Sequence, residues 1–173
     1  RHLGDTAPGR PVTLPHDAML AEPRTALSAG GVNTGWYEGY DYEYQRTLTV
    51  LENELSDTHI LEFEGVYHNA EVWLNGQKAA FRPYGYTNFY VDCAPFLRAG
   101  DNELRVIARN ADQPNSRWYS GAGIYRPVTL WTAPIEHIKP NGLKIRTLSL
   151  DPPTAEITVE TTGSGIVEVE VRS

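Results

Sequence analysis

Two Asn-Glu dipeptides are the clearest candidates for acid-base chemistry in this sequence. Hydrolysis at a sugar acetal usually needs two facing carboxylates, about 5–5.5 Å apart when configuration is retained and further apart when it is inverted. Asn53-Glu54 and Asn102-Glu103 each lie in a polar stretch beside a predicted strand, which is typical of a turn. We therefore predict no catalytic residue in this chain.

Metal binding and nucleophilic catalysis find no support in the spacing of the reactive side chains. Cys93 is the single cysteine, and its neighbours suggest a small buried side chain. Gly163-Ser164-Gly165 is not followed by a helical pattern, as a nucleophile elbow would require, and no glycine-rich loop opens a helix. We predict no metal site and no cofactor, because short-range ligand spacing is absent among the five histidines, His2, His16, His59, His68 and His137.

Aromatic side chains are the remaining residues with binding chemistry. Eight of them lie in segments rich in glycine and asparagine, and flat aromatic faces stack well on the C–H surfaces of sugars. The alternative is that they close the ends of a sandwich or pack against a neighbouring domain. Both interpretations stay open for Trp36, Tyr37, Tyr40, Tyr84, Tyr86, Trp118, Tyr119 and Tyr125.

The elements that would position these loops are strands. Short β-branched and aromatic runs alternate with Gly, Pro, Asn and Asp clusters, and helical periodicity is nearly absent. Asn75-Gly76 predicts a two-residue hairpin. The pattern predicts an all-β fold, with a jelly-roll sandwich as the first choice, and its strands fall at residues 42–50, 60–63, 70–74, 77–82, 89–91, 103–108 and 128–131.

A change in composition at Thr132-Ala133-Pro134 divides the chain. We assign residues 1–134, including a proline-rich lead-in loop, to the jelly roll, and residues 135–173 to the start of an immunoglobulin-like sandwich. About 40 residues are too few for that second domain, which normally has about 100. Its predicted strands are residues 135–138, 143–150, 155–160 and 166–171, with a turn at Pro140-Asn141-Gly142.

The charge of the chain argues against several classes of partner. There are 22 acidic and 15 basic residues, giving a formal net charge of -7, so a polyanion such as nucleic acid would be repelled. No apolar run approaches the roughly 18 residues that span a bilayer, and we expect a soluble protein with no membrane partner. The chain begins at Arg1 without an initiator Met or a signal sequence, so upstream residues are expected to be missing and the compartment, cytoplasmic or secreted, stays open.

Three segments together resemble glycoside hydrolase family 2, the β-galactosidase and β-glucuronidase type. They are Leu14-Pro15-His16-Asp17, the strand-hairpin segment FEGVYHNAEVWLNG at residues 63–76, and NSRWYSGAGIYRPV at residues 115–128. Their order and spacing match the family, and the resemblance covers residues 12–131. It implies a galactose-binding-like jelly roll, then an immunoglobulin-like domain, then a downstream (β/α)8 barrel that holds both catalytic glutamates.

The resemblance also implies a role for one loop. In the family the jelly roll packs on the barrel, and the loop corresponding to residues 115–119 reaches the rim of the active site. Arg117 is then the best candidate for a substrate contact, because a guanidinium can offer two parallel hydrogen bonds to vicinal hydroxyls. An inter-domain salt bridge is the alternative for Arg117, while Trp118 and Tyr119 either line the same pocket or anchor the loop.

Two further points bear on this assignment. Several β-galactosidases and β-glucuronidases have an acidic residue at about the place of Arg117, which weakens an assignment to the β-glucuronidase branch and leaves the sugar unspecified. Pro15-His16-Asp17 is expected to be structural, with His16 and Asp17 fixing the lead-in loop by hydrogen bonds.

Three functions therefore compete. The first is a non-catalytic domain of a retaining exo-β-glycosidase that stabilises the enzyme and forms one wall of a pocket for a β-galactoside or related β-glycoside. The second is an autonomous carbohydrate-binding module. The third, a purely structural or adhesive sandwich, fits the motif set least.

Overall fold

Nine strands form three sheets in the computed structural model, which describes residues 1–172. The helices of this part of the chain are four single 3-10 turns, at Ala18–Ala21, Gly31–Thr34, Glu52–Glu54 and Ala94–Phe96. None of them has the length or the apolar character needed to cross a membrane. The strands are β1 Asp41–Val50, β2 Thr58–Phe63, β3 Ala70–Leu74, β4 Gln77–Arg82, β5 Phe89–Asp92, β6 Gly100–Arg109, β7 Val128–Ala133, β8 Ile138–Leu150 and β9 Pro153–Thr161.

The first seven strands form two antiparallel sheets that enclose the core. One sheet has the order β1-β6-β3-β4 and the other β5-β2-β7. Alternate residues of each strand enter the core because successive side chains of a strand point to opposite faces. The predicted all-β sandwich with a jelly-roll fold is confirmed, and its core includes the buried residues Leu61, Phe63, Val72, Leu74, Val91, Cys93, Leu104, Val106 and Ile124.

Two further predictions from the sequence can be compared with the structure of the sandwich. The Asn75-Gly76 hairpin is confirmed: Leu74 pairs with Gln77, and both turn residues have positive φ angles, 49° and 78°. Cys93 is fully buried, and burial raises the pKa of its thiol to about 11, so it packs as an inert core residue.

Ion pairs join the strands on the outer face of the four-stranded sheet. Glu43 on β1 lies between Arg1 and Arg105, with a nitrogen-oxygen distance of 2.6 Å to each. Glu71 on β3 contacts Arg109 on β6 at 2.6 Å. Burial opposes ionisation of both carboxyl groups, but hydrogen bonds from the cations keep their pKa values below the usual range. These side chains therefore stay charged and tie β1, β6 and β3 together.

Beyond Pro134 the structure differs from three sequence predictions, the strands at residues 135–138 and 166–171 and the turn at residues 140–142. Residues 135–138 are not a separate strand, since β8 begins at Ile138 and continues through the predicted turn with a register shift before Leu143. Residues 166–171 alternate like a strand but form none, because in the described residues they have no neighbouring strand to pair with. The hairpin β8–β9 consequently exposes five large apolar side chains, Ile138, Leu143, Ile145, Leu148 and Leu150.

Candidate functional site

The lead-in loop lies against the segment that precedes β7. The backbone amide of His16 donates to the Ile124 carbonyl at 2.8 Å, and the amide of Ala18 donates to the Ala122 carbonyl at the same distance. These bonds place Asp17 between the two paired residues. The two motifs that are about 100 residues apart in the sequence therefore form one short antiparallel contact.

Asp17 connects three parts of this contact through its carboxylate. Its Oδ1 accepts hydrogen bonds from the backbone amides of Met19, at 3.1 Å, and Ala122, at 3.0 Å. Its Oδ2 accepts the hydroxyl proton of Tyr119 at 2.6 Å. Burial and the nearby carboxylate raise the pKa of Tyr119, so its hydroxyl stays a donor. The predicted structural role of Asp17 is confirmed.

His16 fixes the other side of the same segment. A hydrogen bond of 2.9 Å joins its Nδ1 to the hydroxyl of Tyr44 on β1. Burial lowers the pKa of His16 and raises the pKa of Tyr44 to about 12, so both groups remain neutral near pH 7. The predicted hydrogen bonding by His16 is thus also confirmed.

The loop of residues 115–120, which we call the rim loop, is held from its other side by Tyr67. Tyr67 and Gly123 exchange two backbone hydrogen bonds, of 3.0 and 2.8 Å. The Tyr67 hydroxyl donates to Oδ1 of Asn115 at 3.1 Å. The strand-hairpin motif and the segment before β7 therefore meet at the start of the rim loop.

Asn115 is a residue whose role sequence reasoning missed. Its Nδ2 lies 3.0 Å from Nε2 of His68, 2.9 Å from Oδ1 of Asn110 and 3.0 Å from the Asp112 carbonyl. Two of these partners precede the rim loop and His68 precedes β3, so Asn115 fixes the point where the loop leaves the sandwich. No local sequence signal marks this role, because an asparagine before a serine fits any polar turn.

Serine hydroxyls close the rim loop on itself. Ser120 donates to Ser116 at 3.0 Å, and the hydroxyl of Tyr86 lies 3.1 Å from the Ser120 hydroxyl. Ser116 donates in turn to the carbonyl of Trp118. Tyr86 belongs to a separate loop, so this small hydroxyl cluster ties the two loops together.

The three predicted substrate-binding residues occupy different environments on this loop. Arg117 is exposed, and within residues 1–172 its side chain makes no hydrogen bond or salt bridge. Trp118 is 64% exposed. Tyr119, by contrast, is held by Asp17, and its ring centre lies 5.8 Å from that of Tyr37. Arg117 and Trp118 are thus available to a ligand, whereas Tyr119 anchors the loop.

The eight aromatic residues singled out from the sequence divide into a partly buried group and an exposed group. Tyr37, Tyr40 and Tyr125 are partly buried, and the first two pack around Met19 in a small satellite core. Five others keep more than a third of their surface exposed: Trp36, Tyr84, Tyr86, Trp118 and Tyr119. Tyr84 and Tyr86 contact each other at 5.6 Å, and Tyr86 bonds to the rim loop. Three of the five exposed aromatic residues, Tyr86, Trp118 and Tyr119, therefore lie on the rim loop or contact it.

One large cavity lies elsewhere. A space of about 980 Å³ opens between the two sheets beside β1, and the rim loop contributes nothing to its lining. Its walls combine core residues such as Leu48, Phe63 and Val106 with charged side chains such as Arg10 and Glu22. We place the candidate site at the rim loop instead, because the three sequence motifs meet there.

The two Asn-Glu dipeptides have structural roles. Glu54 ends a 3-10 turn and accepts the Leu51 amide at 3.0 Å, as a turn residue would. The prediction of a turn at Asn102-Glu103 is wrong, since both residues lie in β6, where the fully buried Asn102 accepts the Arg98 amide at 2.9 Å. Across residues 1–172, no three His, Cys, Asp or Glu side chains cluster as metal ligands would.

Comparison with known proteins decides the family. Residues 33–134 match the family described as glycosyl hydrolases family 2, sugar binding domain. This chain belongs to glycoside hydrolase family 2. The matched range of this family 2 domain begins in the second 3-10 turn and includes all seven sandwich strands and the rim loop.

Individual relatives agree with this assignment. The family 2 domain is 39% identical to a β-galactosidase of Bacteroides ovatus, over 93% of this chain and 20% of that protein. Among solved structures it resembles a β-glycosidase from Bacteroides vulgatus, with 30% identity and a TM-score of 0.85 over 95% of this chain and 23% of the other. A Bacteroides uniformis β-glucuronidase matches with 27% identity and a TM-score of 0.63, over 80% of this chain and 16% of the other. The chain thus spans about a fifth of these relatives.

Proposed function

We propose that this chain is the non-catalytic N-terminal domain of a retaining exo-β-glycosidase of the β-galactosidase type. In this proposal it stabilises the enzyme and supplies one wall of the sugar pocket. The observation that carries the proposal is the construction of the rim loop. Hydrogen bonds of Asp17, Asn115 and Ser120 hold the loop in place. The side chains of Arg117 and Trp118 stay exposed and make no hydrogen bond within residues 1–172.

The same proposal makes two statements about the rest of the enzyme. Residues 135–173 begin an immunoglobulin-like domain, in which β8 and β9 bury their exposed apolar side chains against further strands. A downstream barrel provides both catalytic glutamates, so we expect this chain alone to be inactive as a hydrolase. The substrate class is a β-galactoside or related β-glycoside, as the β-galactosidase and β-glycosidase relatives suggest.

Replacing Arg117 by Ala tests the proposed substrate contact. A hydrogen-bonded cation contributes about 1.5–3 kcal/mol, so kcat/KM of the intact enzyme should fall roughly 10- to 100-fold. Arg117→Lys should recover part of the loss, because a lysine keeps the charge without the planar pair of donors. The measurement is steady-state hydrolysis of a 4-nitrophenyl β-D-galactoside.

Arg98→Ala is the matched control, since Arg98 is an exposed arginine in the turn before β6. It should leave the kinetics unchanged. Unchanged kinetics in Arg117→Ala would remove Arg117 from the site. A lower melting temperature with normal kinetics would support the inter-domain salt bridge instead.

The second candidate, an autonomous carbohydrate-binding module, is supported by the exposed aromatic side chains on and beside the rim loop. Titration calorimetry of this chain with methyl β-D-galactoside distinguishes the two. If the pocket needs the barrel, no saturable binding should occur at millimolar sugar. Saturable binding that Trp118→Ala abolishes would favour the module.

A further inference from the structure

A buried carboxylate, that of Glu62, lies close to the segment that connects the sandwich to the hairpin β8–β9. Glu62 lies in the middle of β2, between the core residues Leu61 and Phe63, so its side chain is on the outer face of the three-stranded sheet. Only 9% of Glu62 is exposed. A carboxylate buried on an outer face must be satisfied by neighbours on that face.

Neutral donors, not cations, satisfy Glu62. Its Oε2 accepts the indole N–H of Trp131 on β7 at 2.9 Å. Its Oε1 accepts the hydroxyl proton of Tyr90 on β5 at 2.8 Å and the amide of Asn88 at 3.2 Å. Within residues 1–172 no salt bridge includes Glu62. Burial opposes its ionisation, but these three hydrogen bonds lower its pKa, so the group is a buried anion near pH 7.

The hairpin reaches this cluster through Asn141. Its amide donates to the Tyr90 hydroxyl at 2.5 Å, and Tyr90 in turn donates to Glu62. Asn141 lies at the register shift in β8, with a left-handed φ of 57° that asparagine tolerates well. In the described part of the chain this is the only side-chain hydrogen bond between residues 1–133 and the hairpin.

We propose that the outer face around Glu62 is the docking surface for the hairpin β8–β9, and that Glu62 holds the connecting segment at two points. Trp131 is three residues before Pro134, where the connection leaves the sheet, and Asn141 follows it in β8. Both are tied to the same carboxylate, one directly and one through Tyr90. The cluster thereby fixes the direction in which the second unit leaves the sandwich, independently of any sugar contact at the rim loop.

A pair of spin labels on this 173-residue chain tests the docking. Labels at Gln45→Cys on β1 and Thr147→Cys on β8 report the distance between the two units by pulsed electron paramagnetic resonance. The buried Cys93 should stay unlabelled. The parent chain should give one narrow distance peak. Loss of the Asn141–Tyr90 bond should lower the ratio of docked to undocked hairpin about fivefold, because one net hydrogen bond contributes about that factor.

Two single variants remove the bond from opposite sides. Tyr90→Phe deletes the hydroxyl, and Asn141→Gly deletes the amide while keeping the left-handed backbone and leaving Glu62 with its three donors. Both should broaden the peak, and the double variant should broaden it no further than Tyr90→Phe alone. Tyr84→Phe is the matched control, because Tyr84 is an exposed tyrosine in another loop, and it should keep the narrow peak.

The outcomes decide the proposal. The proposal would be overturned if Asn141→Gly kept the narrow distance peak. It would also be overturned if the double variant broadened the peak by the sum of the two single effects. Circular dichroism of Asn141→Gly should match the parent chain, so that a broadened peak reports undocking of a folded hairpin. The contact between Arg117 and sugar can fail its own test without affecting this result.

Discussion

Asp17→Ala is expected to lower the free energy of unfolding by about 2–4 kcal/mol, because three hydrogen bonds to one carboxylate are lost together. Two of them, to Ala122 and Tyr119, join segments that are more than 100 residues apart in the sequence. Their loss releases the rim loop from the lead-in loop. Urea unfolding of this chain, followed by tryptophan fluorescence, measures the change in stability.

Asp92→Ala provides the matched control for this prediction. Asp92 accepts the Ala94 amide at 3.1 Å, the same local contact that Asp17 makes with Met19, but it makes no comparable long-range bond in the described residues. Its loss should cost about 1 kcal/mol. Equal destabilisation by the two variants would contradict the long-range role of Asp17.

A double-mutant cycle isolates the bond between Asp17 and Tyr119. Asp17→Asn keeps an oxygen for the two backbone amides but replaces the charged acceptor of the Tyr119 hydroxyl by an NH2 group, which can only donate weakly to the phenol oxygen. Tyr119→Phe removes the same bond from the other side. The two changes should be non-additive, with a coupling energy of about 1–2 kcal/mol. In the intact enzyme, each should also reduce kcat/KM if the rim loop forms part of the pocket.

Gly123→Ala is expected to destabilise the chain by about 2–5 kcal/mol, from backbone strain and overpacking combined. Gly123 has a φ of 100°, which L side chains rarely adopt. A methyl group there would also overlap the hydroxyl of Tyr44 and approach the His16 carbonyl to 3.3 Å. The change therefore disturbs the hydrogen bond between His16 and Tyr44 as well as the paired backbone of Tyr67.

Gly100→Ala separates the two causes. Gly100 has a similar φ, 86°, but a methyl group there would meet no atom within 4 Å. It should cost only the backbone strain, about 1–2 kcal/mol. If thermal unfolding showed the same loss for both glycines, the contact between Gly123 and Tyr44 would have no energetic weight.

Local sequence rules predicted the strands well where both pairing partners lie within the sandwich. All seven predicted sandwich strands exist, and five of them extend one to four residues beyond the predicted bounds. The rules failed at residues 135–138 and 166–171, where alternation alone cannot supply a paired neighbour. The rules also placed Asn102 in a turn and not in β6. Its place in a strand depends on the hydrogen bond that its buried side chain donates to the Arg98 carbonyl, which local rules do not predict.

The sequence by itself determined the fold class, the family and the segment that carries the candidate site. Periodicity, turn residues and three motifs are local properties, so each can be read without knowing what lies across the sheet. The motifs could not distinguish exposed residues from anchors within that segment.

The tertiary structure decided which residues can contact a ligand and which hold the loop. Tyr119 is an anchor because its hydroxyl donates a hydrogen bond to Asp17, about 100 positions earlier, whereas the exposed side chains of Arg117 and Trp118 make no hydrogen bond within residues 1–172. The docking of the hairpin on Glu62 depends in the same way on residues from four different segments. Such roles come from contacts between distant parts of the chain, and these form only when the two sheets and their loops have folded together.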